Sequence, residues 1–121
     1  MADLSNELAQ YGIDYKDAMD RVGDNADFYK QLAMKYLDDS NYAELVAAMD
    51  AANYDDAYKA AHALKGVSGN LSLSDLYKAS SAVSEALREG EYQAAGMLMP
   101  QVKDAHEKAV EGLAKWQDND L

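Results

Sequence analysis

Of the features of this sequence, the spacing of apolar residues places the tightest limit on the folds that the chain can adopt. Alanine, leucine and tyrosine recur at helical intervals along the 121 residues, whereas β-branched residues are few and never alternate with polar ones. The segments between the helical stretches are short, and short loops force neighbouring helices to run in opposite directions. The pattern predicts an all-α fold, an antiparallel up-down-up-down four-helix bundle with additional short N-terminal helices.

The first half of the chain predicts three helices. A short helix covers about residues 4–10, and Asp14 can cap a second helix that ends at Gly23. A long helix is expected over residues 25–52, with a bend at residues 40–41 as an alternative to a straight course. The apolar positions of this long helix are Phe28, Leu32, Tyr36, Leu45, Ala48 and Met49.

The second half predicts two long helices, a short one and a final long one. They cover about residues 54–71, residues 75–89 with Ser74 as the cap, residues 91–98, and a stretch from Pro100 to about residue 116. We expect a single domain over residues 1–121, with the bundle core at about residues 25–117.

Charge and composition limit the partners. The formal net charge of -11 disfavours phosphate backbones and anionic lipid, because both would be repelled, so no nucleic acid and no membrane partner is expected. No apolar run approaches the roughly 20 residues that span a bilayer, and the N-terminus lacks a basic segment followed by an apolar core. The absence of cysteine is typical of a reducing compartment, so we expect a cytoplasmic protein.

The helix around His62 has an uneven distribution of side chains. On a helical wheel of about 100° per residue, the apolar stripe that must face the bundle is formed by Ala57, Ala61, Leu64 and Leu71. His62 lies about 150° from the centre of that stripe. The imidazole is therefore predicted to point to solvent.

Two glycines share this exposed side. Gly66 and Gly69 each cost a helix on the order of 1 kcal/mol relative to alanine, so their presence calls for a compensating role. Gly66 lies one turn after His62, where a side chain would cover the ring or obstruct a partner. The alternative is that both glycines merely end the helix as caps.

Two lysines accompany the histidine. A lone exposed histidine is usually an ordinary surface residue, but a neutral imidazole is a good phosphoryl acceptor that needs no base to activate it. Lys59 and Lys65 can offset the charge of a phosphoryl group, although Lys65 also fits a simple solvated position.

The segment His62-Ala63-Leu64-Lys65-Gly66-Val67-Ser68 resembles the His-x-Leu-Lys-Gly-x-Ser core of the histidine phosphotransfer family. The resemblance extends over about residues 13–116, through Ile13-Asp14, Gly23-Asp24, Phe28-Tyr29, Leu76 and Glu85. It implies a four-helix bundle in which His62 is the phosphoacceptor and Lys65 lies near the phosphoryl group. Gly66 and Ser68 would keep the site accessible, and Lys59, Ser68 and Gly69 are the expected binding residues.

The resemblance also implies a function without a kinase site. A phosphoryl group would pass between His62 and the aspartates of response-regulator receiver domains or a hybrid sensor histidine kinase. The chain has no Walker-type Gly-Lys-Ser/Thr loop and no kinase glycine-rich loop. No metal-ligand pattern joins His62 and His106, so we expect no cofactor and no metal, with Mg²⁺ supplied by the partner receiver domain.

Two features depart from the family. Ser72 stands where the family usually has glycine, and we expect only a local change in that turn. The family often places a polar side chain on the following helix to orient the imidazole; Ser81 and Ser84 are the candidates here.

Other residues receive plainer interpretations. His106 is expected on the surface, and Trp116, the tyrosines and the methionines are expected in core and flank packing. For an apolar docking surface beside His62, the candidates are Leu64, Tyr58 and Leu73.

Two other classes of protein are alternatives. A helical adaptor could dock receiver-like domains without being phosphorylated, although His62, Lys65 and Gly66 together argue against it. A dimeric coiled coil is disfavoured because no strict heptad persists, so a monomer is expected. The initiating Met suggests a free-standing carrier, but a domain excised from a larger sensor kinase would have a similar sequence.

Overall fold

Short polar side chains begin several of the helices in the computed structural model, which describes residues 3–121. Asp14 accepts a hydrogen bond from the backbone N–H of Asp17 at 3.0 Å, and Asn25 accepts one from Phe28 at 3.1 Å. Gly23 ends a helix at φ 61°, a left-handed conformation that suits glycine. The elements are α1 (Leu4–Ala9), α2 (Tyr15–Val22), α3 (Ala26–Met34), a 3₁₀ helix (Lys35–Asp38), α4 (Asn41–Asp50), α5 (Tyr54–Asn70), α6 (Ser74–Arg88) and α7 (Tyr92–Gln117).

The longer helices form a bundle. α4 packs on α5, α5 on α6 and α6 on α7, and the connections between them are the three-residue turns 51–53, 71–73 and 89–91. α3 and the 3₁₀ helix pack against α7. No β-strand occurs within residues 3–121, so the all-α prediction is confirmed. The up-down-up-down order of the helices stays a prediction.

An aromatic cluster joins the N-terminal helices to the end of α7. The ring of Trp116 lies 6.2 Å from that of Tyr15 and 5.8 Å from that of Tyr29, measured between centroids. The hydroxyl of the buried Tyr29 donates to the backbone carbonyl of Leu71 at 2.6 Å. The predicted core position of Trp116 is confirmed, and these contacts anchor the end of α5.

The prediction of one long helix over residues 25–52 is wrong, because the structure divides this segment into three shorter helices. The chain passes from α3 into the 3₁₀ helix, becomes extended at Asp39 (ψ 134°), and resumes as α4. Asp39 accepts a hydrogen bond from the backbone N–H of Asn41 at 2.9 Å. Short polar side chains compete with the helix for backbone groups in this way, and four of them follow one another here. Phe28, predicted on the buried face, is exposed, and Tyr29 takes its place.

The predicted break before Pro100 is also wrong, because α7 continues through it. Pro100 lacks the N–H that would donate to Gly96, and its ring crowds that carbonyl. Both residues lie on the exposed side, where solvent can satisfy the carbonyl. Ala95 before the proline and Val102 after it are fully buried, so packing on both sides holds the helix together.

Two further expectations need correction. Ser74 does not cap α6: Leu73 is at that position without a side-chain bond, and the Ser74 hydroxyl donates to the carbonyl of Gly12. His106 is not a plain surface residue, because it is half-buried, stacks on Tyr42 at 4.0 Å and shares a 2.7 Å hydrogen bond with the Tyr36 hydroxyl. No helix within the described range combines the length and apolarity needed to cross a bilayer.

Candidate functional site

His62 lies in the middle of α5 on its solvent side. The residues on the opposite side, Ala57, Ala61, Leu64 and Leu71, are all buried. His62 itself is exposed, as the helical wheel predicts. The imidazole is therefore available to a partner, and the buried stripe fixes the face of α5 that presents it.

The two glycines near His62 have different surroundings. Apart from its chain neighbours and the backbone of its own helix, a Cβ added at Gly66 would meet no atom within 4 Å, so the space one turn after His62 is open. A Cβ at Gly69 would lie 3.0 Å from two ring carbons of Tyr77 on α6. Neither glycine is a cap, because α5 continues to Asn70. Gly66 leaves access to the histidine, whereas Gly69 allows the close approach of Tyr77.

The two predicted lysines face different grooves. Lys65 is half-buried and lines the same cleft as His62. Lys65 also lies near Glu85 of α6, whose pKa is lowered mainly by its hydrogen bond with Arg88 and to a lesser degree by Lys65. Lys59 is exposed and lines a separate groove between α4 and α5. The structure therefore brings Lys65, but not Lys59, into the cleft of His62.

Ser68 is placed differently from the expectation. Its side chain is fully buried, and its hydroxyl donates to the carbonyls of Leu64 at 2.7 Å and Lys65 at 3.1 Å. This bonding pattern is common for a serine inside a helix. The geometry does not fit a direct contact between Ser68 and a phosphoryl group, and a structural role within α5 fits better.

The cleft beside His62 extends beyond α5. It has a volume of about 420 Å³ and is open to solvent. One wall comes from α5, and the rest comes from α2, the turn between α5 and α6, and α6. The lining residues are Asp17, Arg21, His62, Lys65, Gly66, Ser68, Gly69, Asn70, Ser72, Ser74 and Tyr77.

An ion pair on α2 closes one side of this cleft. The Nε of Arg21 donates to Oδ2 of Asp17 at 2.9 Å, and the hydroxyl of Ser72 donates to the same oxygen at 2.7 Å. These two hydrogen bonds, that of Arg21 first, hold the pKa of the Asp17 carboxyl below its usual value. Asp17 is therefore ionised at neutral pH and joins α2 to the turn that follows α5.

Ser81 and Ser84, the serines expected to orient the imidazole, do not contact His62 through a hydrogen bond. The Ser81 hydroxyl donates to the carbonyl of Tyr77 at 2.6 Å, and Ser84 is buried. From Asp3 to Leu121 no side chain forms a hydrogen bond with His62. Its nearest aromatic neighbour is Tyr58, one turn earlier, with ring centroids 5.9 Å apart. Neither serine is therefore supported as the orienting residue.

The apolar docking candidates also need correction. Leu64 and Leu73 are fully buried, so they cannot touch a partner, while Tyr58 remains half-buried beside His62. Tyr77 on α6 is 41% exposed and lines the cleft. Its distance from His62 along the chain hides it from sequence reasoning, although Gly69 is an indirect signal of a ring packed on α5.

Metal ligands are not clustered in the described part of the chain: no group of three or more His, Asp or Glu side chains there could hold an ion. His62 and His106 do not share a site, because His106 is occupied by Tyr36 and Tyr42.

Arg21, Asp17 and Tyr77 are the residues of the cleft that sequence reasoning missed. The spacing of Asp17 and Arg21, four residues apart on a helix, signals an ion pair but not its proximity to His62. Ser72 departs from the motif of the family, yet its hydrogen bond to Asp17 depends on tertiary structure and has no signal in the sequence.

The fold and the site together are those of a helical-bundle protein that presents an exposed histidine beside a lysine and an open glycine. The family model described as Hpt domain matches residues 31–112, more than half of the chain. The chain belongs to the Hpt domain family, which implies histidine phosphotransfer in phosphorelay signalling by a phosphocarrier rather than a kinase. Searches of curated proteins and of solved structures found no significant match.

Proposed function

We propose that this chain accepts a phosphoryl group on His62 from the aspartyl phosphate of one receiver domain and passes it to the aspartate of another. The observation that carries the proposal is the exposed imidazole with open space at Gly66. A receiver domain can approach this face of α5 because Gly66, one turn after His62, has no side chain and open space around it. Residues 1–121 would act as one phosphotransfer domain and as a monomer.

The transfer step needs little chemistry from the chain. The Nε2 lone pair of His62 attacks phosphorus, a P–N bond forms, and the P–O bond to the aspartyl carboxylate breaks as that carboxylate leaves. The transition state is loose and spreads negative charge over the phosphoryl oxygens. Lys65 lines the same cleft as His62, and its ammonium would offset that charge. The reverse step returns the group to a second aspartate.

The partner receiver would supply the Mg²⁺ ion, and this chain would supply the nucleophile, access and one cation. The partners are receiver domains, free or within a hybrid sensor histidine kinase. The net charge of -11 favours such protein partners over nucleic acid or anionic membranes. A phosphoryl carrier between such partners would operate in the cytoplasm.

A helical adaptor that docks receivers without chemistry is the second candidate. The open space at Gly66 favours the carrier, because an adaptor has no need to keep a histidine uncovered. The test is to incubate the protein with receiver domains labelled by radioactive acetyl phosphate. The carrier gains acid-labile, base-stable label and loses it when a second receiver is added. Receiver binding without any label on the chain would instead support the adaptor.

A further inference from the structure

The cleft beside His62 has a second wall that the bundle itself does not provide. Asp17 and Arg21 of α2 line the same cleft as His62 and Lys65 of α5. α2 ends at Val22, before the first residue of the stretch that the Hpt family model matches, residues 31–112. The second wall therefore lies outside the matched stretch.

Arg21 is held in one orientation while most of its donors stay free. Its Nε donates to Asp17, and the side chain of Arg21 remains 51% exposed. A guanidinium carries four further N–H donors on its two Nη atoms, arranged as a planar fork that suits a carboxylate. Within residues 3–121 those Nη atoms have no hydrogen-bond partner. Arg21 is thus a fixed cation with unused donors.

Ser72 makes this orientation depend on the turn after α5. Ser72 has φ 57°, a left-handed conformation that costs a residue other than glycine on the order of 1 kcal/mol. Its hydroxyl donates to Asp17, and its carbonyl accepts from the backbone N–H of Asp14 at 2.8 Å. Two hydrogen bonds therefore fasten α2 to the end of the helix that carries His62.

The charge of the cleft is opposite to that of the chain. Arg21 and Lys65 are cations, and Asp17 is the one acid among the described lining residues. The whole chain carries a formal charge of -11. A local positive site on an acidic protein attracts and orients an anionic group of a partner.

We propose that Arg21 is a docking residue that binds a surface carboxylate of the receiver domain when its aspartate meets His62. This inference rests on the proposed function, because that function identifies the receiver domain as the partner. Asp17 and Ser72 are positioning residues that hold the guanidinium toward the partner. Arg21 touches the partner's protein surface, so it contributes to affinity and not to the chemical step.

The first test separates docking from chemistry. Receiver domains from the same cell are screened with acetyl phosphate, and the best donor is used at varied concentration with wild type, Arg21→Ala and Arg21→Lys. We expect Arg21→Ala to raise KM and Kd about tenfold with kcat unchanged, and Arg21→Lys to lose less. Lys108→Ala, which removes a cation from another i,i+4 ion pair, should match wild type.

The second test identifies the contact and the positioning residues. Surface carboxylates around the receiver's phosphorylation site are replaced one at a time by alanine, and each variant is measured against wild type and Arg21→Ala. One carboxylate should show a non-additive effect with Arg21. Asp17→Asn should weaken binding less than Arg21→Ala, at unchanged helical content by circular dichroism.

Three results would overturn the inference: unchanged KM and Kd in Arg21→Ala, a fall in kcat alone, or additive effects with every carboxylate. The receiver's Kd is measured by calorimetry without transfer, so it tests Arg21 even if His62 is never phosphorylated. Failure of the proposed function would instead appear as absence of label on the wild-type chain.

Discussion

His62 lies one helical turn before Gly66 on the exposed face of α5, and beyond the adjacent backbone of α5 and the two chain neighbours of that glycine no atom lies within 4 Å of the position where its Cβ would project. The histidine and the empty space belong to one surface. Filling the space would place atoms between the imidazole and an approaching receiver.

Replacement of Gly66 by glutamine should therefore slow phosphotransfer while leaving the fold intact. We expect a loss of at least about tenfold in the rate, which corresponds to about 1.4 kcal/mol in the barrier. The measurement is rapid-quench transfer from a phosphorylated receiver. Gly96→Gln is the matched control, because Gly96 is also helical and open but lies on α7. Equal rates for Gly66→Gln and wild type would refute the access role of Gly66.

A small substitution at Gly66 should stabilise the fold. Gly66→Ala places a better helix former in open space, so the free energy of unfolding should rise by about 0.5–1 kcal/mol. Gly112→Ala should lower it by about 1–3 kcal/mol, because its Cβ would lie 2.6 Å from Cβ and Cγ of Tyr11. Urea unfolding of both variants measures these two changes in the free energy of unfolding. A lower stability for Gly66→Ala would contradict the open space at Gly66.

Lys65 should act on the phosphoryl group. Lys65→Ala should lower the transfer rate about tenfold and change the lifetime of the phosphohistidine, because a cation in the cleft no longer offsets the charge. Lys103→Ala on α7 removes the same charge from an exposed position elsewhere. If neither the rate nor the lifetime changes in Lys65→Ala, its electrostatic role is excluded.

The half-buried His106 should make stability depend on pH. Burial lowers the pKa of His106 below its usual 6.5, although Glu107 and Asp39 act in the opposite direction. The unfolded chain then binds a proton more tightly than the folded one, so this contribution is complete above about pH 6.5 and is lost as the pH falls toward the folded pKa.

The measurement is urea unfolding of wild type and His106→Phe between pH 5 and pH 8. The phenyl ring can keep the stacking on Tyr42 but cannot titrate. The variant should show a smaller loss of stability on acidification, whereas parallel curves for the two proteins would remove His106 as the cause.

Much of the fold follows from local sequence. The buried stripe of α5, the cap at Asp14 and the end of α2 at Gly23 could be predicted because each depends on residues within a few positions. The continuity of helices was harder to predict. Tertiary packing holds α7 together through Pro100, and a run of polar side chains divides the segment before α4.

Some residues of the site could also be predicted from the sequence, and others could not. His62, Lys65 and Gly66 lie within five residues, so their shared face follows from helix geometry. Arg21 and Tyr77 reach the cleft from other helices, and no spacing in the sequence indicates that meeting. The buried position of Ser68 could not be predicted, because the motif does not reveal that its hydroxyl donates to a carbonyl of its own helix.

The most direct test of the account locates the phosphoryl group. Wild type, His62→Gln and His106→Gln are each treated with the same phosphorylated receiver, and intact mass and phosphorus NMR are recorded at neutral pH. The account predicts one phosphohistidine in wild type and in His106→Gln, and none in His62→Gln. A phosphoryl group that persists in His62→Gln, or its absence from all three proteins, would contradict it.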